Sequence, residues 1–424
     1  MRVAVVGLGH IGLALAVQYA SRGHAVIGYD IDVSIVEALN SGRPPHDDEP
    51  EVVAQVPQLV AAGGLSATVD PADAFGDADV VVVIVPVSLF PEGAVDFTAI
   101  DAATDEIGRF IGPGTLVAFE TTLPVGTTRE RLAPVLARNS GLTLERDLFV
   151  AFSPERVLVG RVLLDLRRYP KVVGGIGPES RDRAERFYTG ALDEGTEIRA
   201  LSSAEAAEMT KLAETTYRDV NIALANEYAR YAAKRGIDIG EVIDAANSQP
   251  YSHIHQPGVG VGGHCIPVYP RLLANGEPDL RLPPLAREVN DGMAAWAVDR
   301  IAEHVGSLRD VPVLVLGIAY RGDVREDAFS SAFALRDALR AAGARVFGHD
   351  PYYDAAHLAA RGFEPWDVAQ PSPVRVAILQ AAHGEYLRLD LTTLPGLELL
   401  VDGRNALDPE KVSAAGISYL GIGR

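Results

Sequence analysis

Cysteine is almost absent: the chain has one in 424 residues, Cys265. A single thiol closes no disulfide within its own chain, so a core has to hold the fold, and a reducing cytoplasm is the expected compartment. Positive charge is also scarce. The 38 Lys and Arg stand against 57 Asp and Glu, a formal net charge of −19. That excludes a broad nucleic-acid or anionic-membrane surface, but leaves room for a few cations around one anionic ligand. Long apolar runs are missing as well. The longest, VVVVIVPV at 80–87, falls far short of the roughly 20 residues of a bilayer span. The N-terminus, MRVAVVGLGHIG, meets glycine too early for a signal peptide. No membrane and no nucleic acid are expected as partners.

What is present is enough apolar material for a large core, with 48% hydrophobic and 22% charged residues. The length suggests two or three domains. At the N-terminus an apolar run, residues 1–6, leads into GLGHIG, then LALAVQYASRG, then HAVIGYD ending at Asp30. This reads as strand, turn, helix and strand. Gly7, Gly9 and Gly12 have the dinucleotide spacing: a tight turn, a close pyrophosphate approach and helix–strand packing. His10 and Ile11 lie in the same turn. Asp30 is placed to take both ribose hydroxyls, which favours NAD over NADP. Further strands are expected at 79–87, 114–122, 147–155 and 171–175, alternating with helical stretches. The fold class is α/β, with doubly wound parallel sheets.

Residues 202–246 contain no proline and carry apolar residues at helical spacing, with a start signal at Ser203, Glu205 and Ala206. A helix of roughly 30 residues or more exceeds ordinary length and suggests a dimer interface or a span between domains. Residues 312–424 repeat the α/β pattern, but the first turn, GIAYRGD, lacks the glycine fingerprint and suits a different ligand.

Cys265 stands in GVGVGGHCIPVYP, residues 258–270. The glycines at 258, 260, 262 and 263 let backbone come close to something. A cysteine in such a loop fits a thiolate nucleophile. The competing readings are an inert structural thiol and a metal ligand. The second has only His264, His253 and His255 to support it, and no metal is expected.

Taken together, VGLGHIGLALA, FETTLPVGTT, FSPERVLVG, AEMTKLAETTYRDVNIALANE, GVGGHCIPVYP, AREVND, LGIAYRGD and VDGR resemble the UDP-glucose/GDP-mannose dehydrogenase family. The pattern is nearest to members that oxidise UDP-N-acetylmannosamine or UDP-N-acetylglucosamine at C6. The resemblance implies three parts: an NAD-binding domain at 1–198, a central helical dimerisation domain with the cysteine loop at 199–300, and a nucleotide-sugar domain at 301–424. It implies a homodimer with NAD as cofactor and a UDP-sugar as substrate. Cys265 is cast as the nucleophile, Lys211 as the oxyanion stabiliser, Glu155 as the catalytic glutamate and Thr122 as the residue holding water. Pro86 and Thr122 join Gly7, Gly9, His10, Ile11, Gly12 and Asp30 around NAD. Glu155, Arg156, Lys211, Thr215, Gly262, Tyr320, Arg321 and Arg404 are implied substrate contacts.

Five positions depart from the family pattern. Tyr269 replaces an aspartate, Thr215 an asparagine, and Tyr251 an arginine that reaches the neighbouring subunit. Ala328 replaces an arginine near NAD, and VPVS at 85–88 replaces VPTP. Two outcomes follow beside full oxidation to the uronic acid. The enzyme acts on an unusual nucleotide sugar or nucleoside, or it stops short of the acid. A catalytically silent homologue is the remaining class, disfavoured by intact Cys265, Lys211 and Glu155.

Overall fold

The computed structural model describes residues 1–90 and 93–424. The chain divides into two compact units, Met1–Glu214 and Thr215–Arg424.

The first unit carries the strands β1 (Arg2–Val6), β2 (Ala25–Tyr29), β3 (Leu65–Thr68) and β4 (Val80–Val83). A short hairpin of β5 (Ser88–Leu89) and β6 (Val95–Asp96) follows. Then come β7 (Leu116–Phe119), β8 (Phe149–Phe152), β9 (Lys171–Gly175) and β10 (Ile198–Ala200). Among the described residues the main sheet runs β10-β9-β8-β7-β4-β1-β2-β3. Its pairs are parallel except β8 with β9, which is antiparallel. β4, β7 and β8 are buried along their whole length. They read as unbroken apolar runs because helices cover both faces of the sheet. One face packs the helix His10–Ser21 and Phe187 of the helix Pro178–Ala191; the other packs Ile100, Ile107 and Leu136. The strand expected at 79–87 stays regular only to Val83. Beyond it Pro86 has no N–H for a ladder.

The second unit repeats the winding with β11 (Pro312–Leu316), β12 (Arg345–His349), β13 (Glu364–Pro365), β14 (Val376–Leu379), β15 (Leu399–Asp402) and β16 (Ser418–Gly421). The order is β13-β12-β11-β14-β15-β16, all parallel. The strands β3, β10, β13 and β16 and the hairpin of β5 and β6 lie outside the apolar runs expected as strands.

The segment expected as one helix, 202–246, is two. Ala204–Ala233 is a single helix of 30 residues, started where Ser203 Oγ accepts from Ala206 N–H at 3.2 Å. Gly236 then takes a left-handed φ of 66°. Asp238 caps the next helix, Ile239–Asn247, by accepting from Gly240 N–H. The left-handed residue stops the first helix and the Asp cap starts the second.

Candidate active site

In the first unit, Gly7, Asp30, Pro86, Thr122 and Glu155 follow the carboxyl ends of β1, β2, β4, β7 and β8. Those strands are neighbours in the order β2-β1-β4-β7-β8. Parallel strands point all their carboxyl ends one way, so residues up to 148 positions apart in sequence line one edge. The order of strands reverses at β1 and β4, where such sheets open a crevice for ligands.

Each glycine of the turn has its own physical reason. Gly7 holds a left-handed φ of 92°. A Cβ on Gly12 would stand 1.8 Å from the Gly7 carbonyl oxygen, so only glycine lets the helix press against the turn. Gly9 is different. Its φ of −65° suits any residue, and a Cβ there would meet nothing within 4 Å. The space in front of it, at the N-terminus of a 12-residue helix, suits the approach of an anion such as a pyrophosphate. Asp30 is fixed by two backbone donors: Leu8 N–H reaches Oδ2 at 2.7 Å and Asp32 N–H reaches Oδ1 at 3.0 Å. Each oxygen keeps a lone pair for a ribose hydroxyl. The residues present therefore fit a dinucleotide. His10 is exposed in the first helical turn; its Nδ1 lies 2.8 Å from Asp48 Oδ1 and its ring lies against His46. Ile11 packs partly into the core, and Pro86 is exposed.

Glu155 and Thr122 are buried. Lys211 Nζ donates to the Glu155 backbone carbonyl at 2.5 Å. Arg156 is engaged by Glu214 at 2.5 Å and by the Pro170 carbonyl at 3.1 Å. Behind Glu155 stand residues that no sequence motif announces. Lys171 Nζ bonds Glu155 Oε1 and lies 2.8 Å from Glu120 Oε2. Tyr19 and Tyr188 donate to Glu120 Oε1 at 3.0 and 2.6 Å. Burial, together with Glu120, pushes both phenols well above the ordinary tyrosine range.

In the second unit the glycine loop lies against the turn after β11 and against Arg404. A Cβ on Gly262 would come within 2.8 Å of Tyr320 Cβ and of the Phe329 carbonyl, and one on Gly263 within 3.0 Å of the Tyr320 ring. Arg404 donates to the carbonyls of Gly260 at 3.0 Å and Gln380 at 2.5 Å, and to Ser331 Oγ at 3.3 Å. Burial lowers its guanidinium to about 10, so it stays charged at neutral pH. Arg321 Nε donates to Tyr320 Oη at 3.0 Å. The fold thus gathers Gly262, Tyr320, Arg321 and Arg404 beside the cysteine loop, while Thr215 is buried in the long helix.

Both ends of that loop are pinned by residues whose task the sequence did not reveal. Asn226 Oδ1 accepts from Gly258 N–H at 2.9 Å, and Asn226 donates in turn to Asn290 Oδ1 at 2.8 Å. Arg287 reaches the Ile266 carbonyl, next to Cys265, at 3.4 Å and the buried Asp219 at 3.1 Å. Burial raises the Asp219 carboxyl against the pull of Arg287. Cys265 is partly exposed; its carbonyl accepts from Tyr269 N–H at 2.9 Å, just where the short helix Tyr269–Leu273 begins. His264, beside it, is drawn to Glu326 at 3.7 Å, and that interaction raises the imidazole above its ordinary value.

The second unit has its own acid at the end of a strand. Asp350, after β12, accepts from Ile318 and Ala319 N–H at 2.8 and 3.1 Å. Buried His383 reaches the same oxygen at 3.1 Å. Three protein groups crowd one oxygen of this acid, whereas each oxygen of Asp30 takes one backbone donor, in keeping with a different ligand for this unit.

Family models match nearly the whole chain. The UDP-glucose/GDP-mannose dehydrogenase NAD binding domain matches residues 1–192, the central domain 205–291 and the UDP binding domain 314–409. The chain belongs to the UDP-glucose/GDP-mannose dehydrogenase family. The UDP-N-acetyl-D-mannosamine dehydrogenase of Pyrococcus horikoshii is 34% identical, over 100% of this chain and 99% of its own. The NDP-N-acetyl-D-galactosaminuronic acid dehydrogenase of Ralstonia nicotianae is 33% identical over 97% of each. The solved structure of the Pyrococcus horikoshii UDP-D-ManNAc dehydrogenase superposes with a TM-score of 0.88 at 33% identity, covering 100% of this chain and 99% of that one. As a member of this dehydrogenase family the chain is an NAD-dependent oxidoreductase of nucleotide sugars. Among the described residues no helix is long and apolar enough to cross a membrane.

Proposed function

We propose that this dehydrogenase oxidises the C6 hydroxyl of a UDP-N-acetylhexosamine to the uronic acid, with Cys265 as covalent nucleophile. The observation that carries the reading is the row of Asp30, Gly7, Thr122 and Glu155 along one sheet edge, with a separate glycine loop built to hold a lone thiol. Relatives named for N-acetylmannosamine and N-acetylgalactosaminuronic acid nucleotides support the amino-sugar class.

NAD, when bound, supplies the hydride acceptor for both oxidations. The chain supplies the rest. In the first oxidation C6 gives up a hydride and its hydroxyl a proton to water, leaving the aldehyde; the Cys265 thiolate adds to that carbon, and Lys211 stabilises the oxyanion of the thiohemiacetal. Loss of a second hydride leaves a thioester. Glu155 takes a proton from water as the water oxygen bonds to that carbon. The C–S bond then breaks, releasing the carboxylate and restoring the thiolate. Tyr320, Arg321 and Arg404 face the nucleotide, with the two arginines meeting its phosphates.

The test is the stoichiometry of NADH per UDP-N-acetyl-D-mannosamine consumed, together with mass spectrometry of quenched Cys265. Two NADH and a transient adduct are expected; one NADH with free aldehyde refutes full oxidation.

The protein acts as a homodimer in this reading. Tyr217, Leu224, Tyr228 and Tyr231 are exposed on the long helix, spaced 7, 4 and 3 residues apart, an apolar stripe on one face. Light scattering on Leu224→Asp/Tyr228→Asp should give a monomer where the wild type gives a dimer. A monomeric wild type at micromolar concentration removes the interface.

A further inference from the structure

We infer that Lys171, backed by Glu120, is a positioning residue that holds one oxygen of Glu155 and leaves the other as the acceptor for the proton of the attacking water. The inference rests on the reading of Glu155 as the base.

Lys171 opens β9, and Glu155 lies three residues past the end of β8, its antiparallel neighbour. Lys171, Glu120 and Glu155 are 5%, 1% and 8% exposed. The ammonium bridges Glu155 Oε1 and Glu120 Oε2, and lies 4.8 Å from the centre of the Tyr188 ring. The other oxygen of Glu120 is taken by Tyr19 and Tyr188. That leaves Glu155 Oε2 buried with no hydrogen-bond partner among the described residues. A buried carboxylate oxygen without a donor is costly, and native chains keep one for a water or a ligand. Glu155 also lines a small cavity together with Val157, Asp165, Tyr169 and Lys171.

The charge count gives Lys171 a second effect. Two carboxylates and one ammonium share the site, and both phenols are neutral. Burial lowers the Lys171 ammonium while Glu120 holds it up. Among the described residues, the charged groups nearby include Lys211, bonded to the Glu155 carbonyl, Arg156, paired with Glu214, and Asp165, paired with Arg161. Without Lys171, two carboxylates would face each other in an apolar site, and one of them would take up a proton near neutral pH. Glu155 would then be a poor base.

The test uses full-length protein with 13C at the glutamate carboxyls, the Glu155 signal being assigned by its loss in Glu155→Gln. In Lys171→Met the pH at which Glu155 titrates should rise by about one to three units, the size expected for losing an adjacent cation. The acidic limb of kcat/KM for UDP-N-acetyl-D-mannosamine should move with it, and Lys171→Arg should restore both. Because Lys171→Met strands two buried carboxylates, Lys171→Met/Glu120→Gln is the companion variant; it removes one charge of each sign and should show a smaller rise, because the lost ammonium touched Glu155 directly whereas the lost carboxylate stood behind it. An unchanged Glu155 titration in the folded companion overturns the inference. A titration that moves while the acidic limb stays leaves Lys171 in its role and refutes Glu155 as the base. A lower melting temperature with no movement of either marks a structural pair only.

Discussion

Two alanine substitutions, three residues apart, separate a cofactor cradle from a merely structural turn. At Gly12 the added Cβ lies 1.8 Å from the Gly7 carbonyl oxygen. An unstrained carbon–oxygen contact is about 3.3 Å, so the helix has to move by about 1.5 Å. Overpacking of that kind costs about 1–3 kcal/mol. For a unit of this size that is a fall of roughly 2–12 °C in melting temperature. At Gly9 the backbone is already ordinary and the Cβ meets no protein atom within 4 Å. Gly9→Ala should keep its stability within about 1 kcal/mol, since glycine and alanine differ by less than that at a typical helix N-cap. The methyl group instead occupies the space a pyrophosphate needs. The same ~1–3 kcal/mol then appears as a loss of NAD affinity of about 5- to 150-fold. Calorimetric titration with NAD and thermal melts, with and without NAD, read both effects. Gly9→Ala should melt like the wild type without NAD and gain little from adding it. If Gly9→Ala binds NAD as tightly as the wild type, the open space is not the cradle. If Gly12→Ala melts unchanged, the packing argument fails.

Cys265→Ser should retain part of the first oxidation and lose the second, because a hydroxyl is a far weaker nucleophile than a thiolate at neutral pH; NADH counting in single turnovers reads this, and full activity refutes covalent catalysis. Tyr269→Asp should speed release of the Cys265 adduct, since a phenol titrating near pH 10 cannot act as a base near pH 7; an unchanged adduct lifetime by rapid-quench mass spectrometry refutes it. His264 should titrate above the ordinary 6.5 by NMR. Its pairing with Glu326 therefore stabilises fully below about pH 6.5 and is lost as pH rises through the folded value, and Glu326→Gln should bring the titration back down. Arg287→Met strands the buried Asp219 and should cost about 3–5 kcal/mol. Arg287→Met/Asp219→Leu should recover most of the stability but not kcat, because the hold on the Ile266 carbonyl stays lost; recovery of kcat refutes its part in placing the cysteine loop.

Some of this protein is written locally. The strand–turn–helix–strand unit with Gly7, Gly9, Gly12 and Asp30 occupies 30 consecutive residues. Chain geometry alone puts those residues together, so spacing reveals them. The same holds for the Ser203 helix start and for the apolar runs that became β4, β7 and β8. Short or edge strands such as β3, β10, β13 and β16 carry too few apolar residues to stand out, and they form because a neighbouring strand offers its ladder. The break at Gly236 was legible in principle, since glycine followed by an Asp cap is a stop and a start, but the surrounding helical periodicity masked it.

The sequence by itself determined which chemistry the chain carries: one thiol, a dinucleotide turn, and a lysine and a glutamate in family motifs. Only the tertiary structure decided how those groups are held and charged. Glu120 and Lys171 are 51 residues apart, and Asn226 and Asn290 are 64 apart. Nothing in either segment announces its partner, because a hydrogen bond between distant residues leaves no local periodicity. Whether a lysine is a solvated surface charge or a desolvated bridge between two carboxylates depends on burial. Burial belongs to the packed core as a whole, and no single stretch of the chain carries it.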